Sequence, residues 1–308
     1  MTRDFMTLLK ARWAESKFVC VGLDPELAKI PHSVRRLHGV DPRWRQFTFN
    51  RSIVDATKDI VCAYKLNVAF YRGAAGKRIL RKTIQHIRRV APHVVVILDG
   101  KTGDIGNSSM GYVEEAFDYY DADACTVHFQ MGMEAMRPYL DQKNKGIIVL
   151  CKTSNPGSGE FQNLEVNITQ RMLDEVDGEV VCQYDNRDRN IRTTMPLYQW
   201  VAKRVASRHG WNYNGNCCLV VGATYPEELA LIRQTAPDIP ILCPGPGKQG
   251  ADVKAAVHAA RDSRGNGFIM NSSSGIIFAS PEKDFANAAR LAAKGLDEQV
   301  SHALFALT

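Results

Sequence analysis

The sequence predicts an α/β protein, a closed (β/α)8 barrel of the TIM type, as one domain over residues 1–308. Three observations carry that expectation. Eight short apolar runs of strand length recur along the chain, stretches with helical spacing separate them, and several runs close on a charged residue. Near-continuous apolar strands suit a sheet covered on both faces, and alternation of strand with helix implies parallel pairing. Eight such units close a barrel, and the chemistry of that fold sits at the C-terminal ends of its strands.

Along the chain, MTRDFMTLLKARWAESKF reads as an amphipathic helix rather than a signal peptide with its apolar stretch and small-residue cleavage site. No window approaches the roughly 18 uninterrupted apolar residues of a membrane span. A cytoplasmic enzyme with no membrane partner is the expectation. The strands fall at FVCVGLD (18–24), VCAYKLN (61–67), VVVILD (94–99), ACTVHF (124–129), GIIVLC (146–151), CLVVG (218–222), IPILC (239–243) and GFIMN (267–271). Helices are expected at 74–90, 109–120, 132–141, 226–235 and 251–262, with a last one that Ser280 caps, Pro281 begins and Glu282 favours through the helix dipole. One connection, 152–217, is oversized. It contains TSNPGSGEFQN and a helix near 196–209, and reads as an elaborated active-site loop with helices.

Composition narrows the classes. The densest basic run, KRILRKTIQHIRR, sets Ile79, Leu80, Ile84 and Ile87 at helical spacing with its cations opposite, so it reads as a solvated helix face. It lacks interleaved aromatics, and the net charge of +6 is modest, which argues against nucleic acid as a partner. The eight cysteines, Cys20, Cys62, Cys125, Cys151, Cys182, Cys217, Cys218 and Cys243, include no C-x-x-C pair, and six lie in or beside apolar runs. They read as free core thiols in a reducing compartment, with no metal site.

Polar residues that close apolar runs are the functional candidates. Asp24 ends the first run, Lys65 lies late in the second, and Asp99 and Lys101 end the third, with Asp104 on the following loop. Residues two apart on an extended chain point the same way, so Asp99 and Lys101 are expected side by side, with Gly100 between them free to take unusual backbone angles. Such a row suits loss of carbon dioxide: an anion beside a substrate carboxylate disfavours that ground state, while an adjacent ammonium stabilises a developing carbanion and can protonate it. Across the rim, VVGATYPEE, PGPGKQGAD and NSSSG leave the last three runs with glycines that let backbone N–H groups approach a phosphate.

In order, GLDP, AYKLN, LDGKTGDIGN, CKTSNPGS, VVGATYPEE, PGPGKQGAD and NSSSGIIFAS resemble the orotidine 5′-phosphate decarboxylases, in particular their longer, type 2-like subgroup, over about residues 18 to 280. The resemblance implies cofactor-free decarboxylation of orotidine 5′-phosphate to UMP in pyrimidine biosynthesis, by a homodimer with active sites near its interface. It implies that Lys101 protonates C6 of the pyrimidine, that Asp99 sits against the departing carboxylate, and that Lys65 holds the row together and bonds the ribose. Asp24 would meet a ribose hydroxyl, and Asp104 would reach into the partner's site with Ile105 beside it. Thr153 and Ser154 would lie near the base, Gln249 would bridge phosphate and pyrimidine, and Gly222, Gly245, Gly247 and Gly250 would shape the phosphate loops.

Three positions depart from the family's pattern. Ser274, before Gly275, stands where an arginine usually grips the phosphate; His128-Phe129-Gln130 replaces the usual end of the fourth strand; and Thr102 stands where an arginine often follows the catalytic lysine. These leave two alternatives open, a diverged relative acting on another sugar phosphate and a catalytically weak nucleotide-binding barrel.

Overall fold

The computed structural model describes residues 3–36, 42–177, 191–245 and 252–305. Eight parallel strands close into a barrel: β1 (Val19–Gly22), β2 (Ala63–Asn67), β3 (Val95–Thr102), β4 (Ala124–Val127), β5 (Gly146–Lys152), β8 (Cys217–Val221), β9 (Ile241–Pro244) and β10 (Phe268–Ser272). Each pairs with its neighbour in sequence except across the long connection, where β5 meets β8 with Ile147 opposite Cys217. Between them, β6 (Glu165–Thr169) and β7 (Ile191–Pro196) form a separate antiparallel pair.

Helices cover the outside of the strands and side chains fill the inside, so Val95, Val96, Ile97 and Leu98 of β3 are buried on both faces. In β2 the alternation is chemical. Tyr64 points outward, its hydroxyl donating to the Val54 carbonyl at 3.1 Å, and Lys65 therefore turns into the barrel. The helix Gly73–Val90 buries Ile79, Leu80, Ile84 and Ile87 as their spacing predicts. Several of its cations find partners: Lys77 reaches Glu115 at 2.6 Å, and Arg88 reaches Asp123 at 2.7 Å.

Three elements differ from the expectation. The helix expected over 109–120 starts at Gly106 and widens from Glu114 to Tyr119 into a π-helical turn. Pro42–Thr57, between β1 and β2, is a helix that the sequence reading passed over. The last helix runs Phe285–Phe305 and is not capped by Ser280. Ser280 instead donates to Asp284 at 2.6 Å and accepts from the Glu282 N–H at 3.1 Å, making a turn ahead of a helix that begins only at Phe285.

The seven described cysteines are unpaired and buried; Cys182 lies outside the described residues. Among the described residues, no helix is long and apolar enough to cross a membrane.

Candidate active site

The C-terminal rim gathers the charged strand ends into one row. Lys65 Nζ lies 2.8 Å from Asp99 Oδ2 and 3.8 Å from Asp24 Oδ2, while Lys101 Nζ lies 2.7 Å from Asp99 Oδ1. Asp24, just past β1, also accepts from the Asn67 N–H at 3.3 Å, which fixes it against the end of β2. Lys65 and Asp99 are buried; the Lys101 side chain is 47% exposed and opens to the cavity. Burial alone would push the Asp99 carboxyl up, but Lys65 and Lys101 more than offset it and hold Asp99 well below the usual carboxylate range. Burial likewise works against the Lys65 ammonium, and Asp99 and Asp24 reverse it, so Lys65 is held charged.

The local backbone corrects the expectation for this strand. The unusual angle belongs to Lys101, at φ +48°, and not to Gly100. Pairing between β3 and β4 shifts register between Leu98 and Thr102, and the chain there is not simply extended. Thr126 of β4 holds the irregular turn. Its hydroxyl accepts from the Lys101 N–H at 2.9 Å and donates to Asp99 Oδ1 at 2.8 Å, so one group ties the backbone of the lysine to the side chain of the acid. A non-glycine residue in the left-handed region costs roughly 1–2 kcal/mol, which the surrounding bonds must offset.

The row opens into a cavity of about 660 Å³. Of the candidates, Lys65, Asp99, Lys101, Thr153, Ser154, Gly245, Ser274 and Gly275 line it. Leu150, Val220 and Leu242 form an apolar wall. Thr153 is braced by its own loop: its N–H donates to Gln162 Oε1 at 2.9 Å and its hydroxyl to Asn155 Oδ1 at 2.8 Å. Gly245 takes φ +113°, a conformation that requires glycine. Gly222 does not line the cavity; its missing side chain lets the end of β8 approach Ser154, whose Cα would lie 2.7 Å from a Cβ there.

Asp104 and Ile105 are not brought to the row within one chain. Asp104 accepts from the Ile105 N–H at 2.8 Å, and Ile105 is 61% exposed. Gly247, Gln249 and Gly250 lie outside the described residues. His128 stays out of the cavity; its Nε2 lies 3.0 Å from the Gly103 carbonyl, under the loop that leads from Lys101 to Asp104. Thr102 also stays out, its hydroxyl accepting from Tyr139 at 2.9 Å.

Two side chains escaped the sequence reading. Thr126 sits inside an apolar run with no charge to mark it, although β-strand alternation from Ala124 places it inward. Asn271 closes the last run, and the rule that singled out Asp24 and Asp99 would have found it. Among the described residues, Lys65 and Lys101 are the only lysines or arginines lining the cavity, and both are paired with Asp99. No group of three His, Cys, Asp or Glu among the described residues is arranged to hold a metal ion.

Known proteins share the sequence and the fold of this chain. The family model described as orotidine 5′-phosphate decarboxylase / HUMPS family matches residues 17–289. The chain is 40% identical over 299 residues to the orotidine 5′-phosphate decarboxylase of Cellvibrio japonicus, covering 97% of this chain and 98% of that protein. It is 44% identical over 287 residues to that of Cupriavidus metallidurans, covering 93% of each. In three dimensions it is similar to the OMP decarboxylase of Leishmania donovani, with a TM-score of 0.75 at 31% identity over 98% of this chain and 99% of that one.

Proposed function

The chain belongs to the orotidine 5′-phosphate decarboxylase family, and we propose that it converts orotidine 5′-phosphate to UMP in de novo pyrimidine biosynthesis, as a carboxy-lyase that uses its own side chains and no cofactor. The observation that carries this reading is Asp99 held between two ammonium groups at the mouth of the cavity, 2.8 Å from Lys65 and 2.7 Å from Lys101.

The chemistry follows from that placement. Asp99 stays ionised beside the substrate carboxylate, and two anions in a partly dry site repel. Cleavage of the bond from C6 to the carboxyl carbon relieves the repulsion: carbon dioxide leaves neutral, and the electron pair stays on C6. The Lys101 ammonium lies where that charge develops, stabilises it, and gives C6 a proton; the resulting amine is reprotonated from water. Because Lys65, Asp99 and Thr126 are in place before the substrate arrives, this stabilisation requires no reorganisation during the reaction.

Thr153 and Ser154 border the base in this reading, and Gly245, Ser274 and Gly275 border the phosphate; the unpaired described cysteines fit a reducing cytoplasm. We also propose a homodimer, in which Asp104 and the exposed Ile105 complete the site of the partner chain rather than their own. Following the absorbance of orotidine 5′-phosphate with purified protein tests the function directly; absence of turnover at millimolar substrate would reject it.

A further inference from the structure

The last barrel strand brings to the cavity a side chain for which the reaction above has no use. Asn271 lines the cavity, is only 3% exposed, and its Oδ1 is buried with no hydrogen-bond partner. A buried acceptor left unpaired costs free energy, and of the ten buried side-chain polar atoms without a partner among the described residues, Asn271 Oδ1 is the one whose residue lines the cavity. In this case the neighbouring space is the substrate cavity.

Its position identifies the reason. Asn271 pairs with Cys20 of β1, the strand that leads to Asp24, and with Pro244 of β9, and its carbonyl accepts from the Gly245 N–H at 3.4 Å. It therefore stands between the acid at the end of β1 and the glycine turn at the end of β9. The proposed function, on which this inference rests, sets the reacting carbon at Lys101 on β3 and the phosphate at that turn. The sugar must span the gap.

The amide also selects the chemical group. Phosphate and carboxylate oxygens only accept hydrogen bonds, so neither satisfies Oδ1. In that reading the base borders Thr153 and Ser154, past the end of β5, three strands from β10 in a ring of eight and so toward the far side of the barrel from Asn271. A sugar hydroxyl both donates and accepts, and it satisfies the amide whichever way its last bond is turned. We propose that Asn271 is a further substrate-binding residue, accepting a hydrogen bond from a ribose hydroxyl of the nucleotide and contributing to selection of that sugar.

The test compares binding of UMP, 2′-deoxy-UMP and 3′-deoxy-UMP to the wild type and to Asn271→Leu, which keeps the bulk and removes the amide. The penalty for losing one of the two hydroxyls is expected to be about fivefold to tenfold smaller in the variant than in the wild type. Unchanged penalties for both analogues overturn the assignment. Should the variant fail to fold, the wild-type structure with UMP decides: an Asn271 amide atom about 3 Å from a ribose oxygen supports the assignment, and a gap beyond about 4 Å overturns it. Turnover of orotidine 5′-phosphate by the wild type is measured first. Its absence sinks the functional reading, whereas turnover with unaltered hydroxyl penalties sinks the Asn271 assignment alone.

Discussion

Lys101 Nζ stands 2.7 Å from Asp99 Oδ1 although the strand between them is not regular, because Lys101 adopts φ +48° and Thr126 grips both its N–H and the Asp99 carboxylate. The contact that defines the site thus depends on a neighbouring strand as well as on the spacing of the two residues.

Thr126→Val tests that dependence. It keeps the side chain's shape but removes a donor to Asp99 and an acceptor for Lys101, leaving a buried partner unpaired at about 1–3 kcal/mol. We expect a lower melting temperature and a kcat reduced about tenfold or more, since Lys101, the proposed proton donor to C6, is no longer held in place. A variant with the wild-type kcat would show that the hydroxyl does not position the lysine.

Asp99 predicts an acid dependence of stability. Despite its burial, Lys65 and Lys101 hold it well below the usual range, so its folded pKa lies under the unfolded value of about 3.9. Its contribution is complete above that value and is lost as pH falls toward the folded pKa, because only the unfolded chain takes up the proton at first. Asp99→Asn is therefore less stable than the wild type near neutral pH, and the gap narrows as denaturant midpoints are followed below about pH 4. A gap that stays constant across this range contradicts the assignment.

Gly222→Ala separates spacing from binding. A Cβ there would lie 2.7 Å from the Cα of Ser154, a backbone atom that cannot swing aside. The substitution is expected to cost about 1–3 kcal/mol of stability and, by moving Ser154 in the cavity wall, to raise KM severalfold. Thermal unfolding and steady-state kinetics check it; a neutral result in both means the strands have room to spare.

Ser274→Arg probes the phosphate end. Ser274 lines a cavity whose described cations are both engaged with Asp99. A charge-assisted contact is worth about 1.5–3 kcal/mol, so an arginine there should tighten UMP binding roughly 10- to 200-fold. Calorimetric titration measures this, and unchanged or weaker affinity indicates a pocket shaped for a different anion.

The barrel and the charged row were legible because both are written in strong signals. Apolar runs buried on two faces read as parallel strands, and a charge ending such a run stands out, which located Asp24, Lys65 and Asp99. Thr126, uncharged and inside its run, carries no such contrast and becomes visible only when neighbouring strands are aligned in register, whereas Asn271 closes its run but lacks the charge that made Asp24 and Asp99 stand out. The backbone at Lys101 was misread because Gly100 is the residue that sequence logic trusts with an odd angle, whereas pairing with β4 imposes it one position later. The strands β6 and β7 are short, polar and largely outside the core, so nothing in EVNIT or IRTTMP marks them. Asp104 and Ile105 were assigned by resemblance, and one chain alone brings neither to the row.

The proposed decarboxylation depends above all on the Lys101 ammonium acting at C6. The most direct measurement is the kcat for orotidine 5′-phosphate of Lys101→Ala beside the wild type, with circular dichroism to verify the fold; the half-exposed side chain makes folding tolerant of its removal. We predict a rate lower by about a thousandfold or more in a folded variant, within reach of what a positioned acid and a fixed charge each supply. A folded Lys101→Ala protein that turns over at close to the wild-type rate would contradict a role for this lysine at C6.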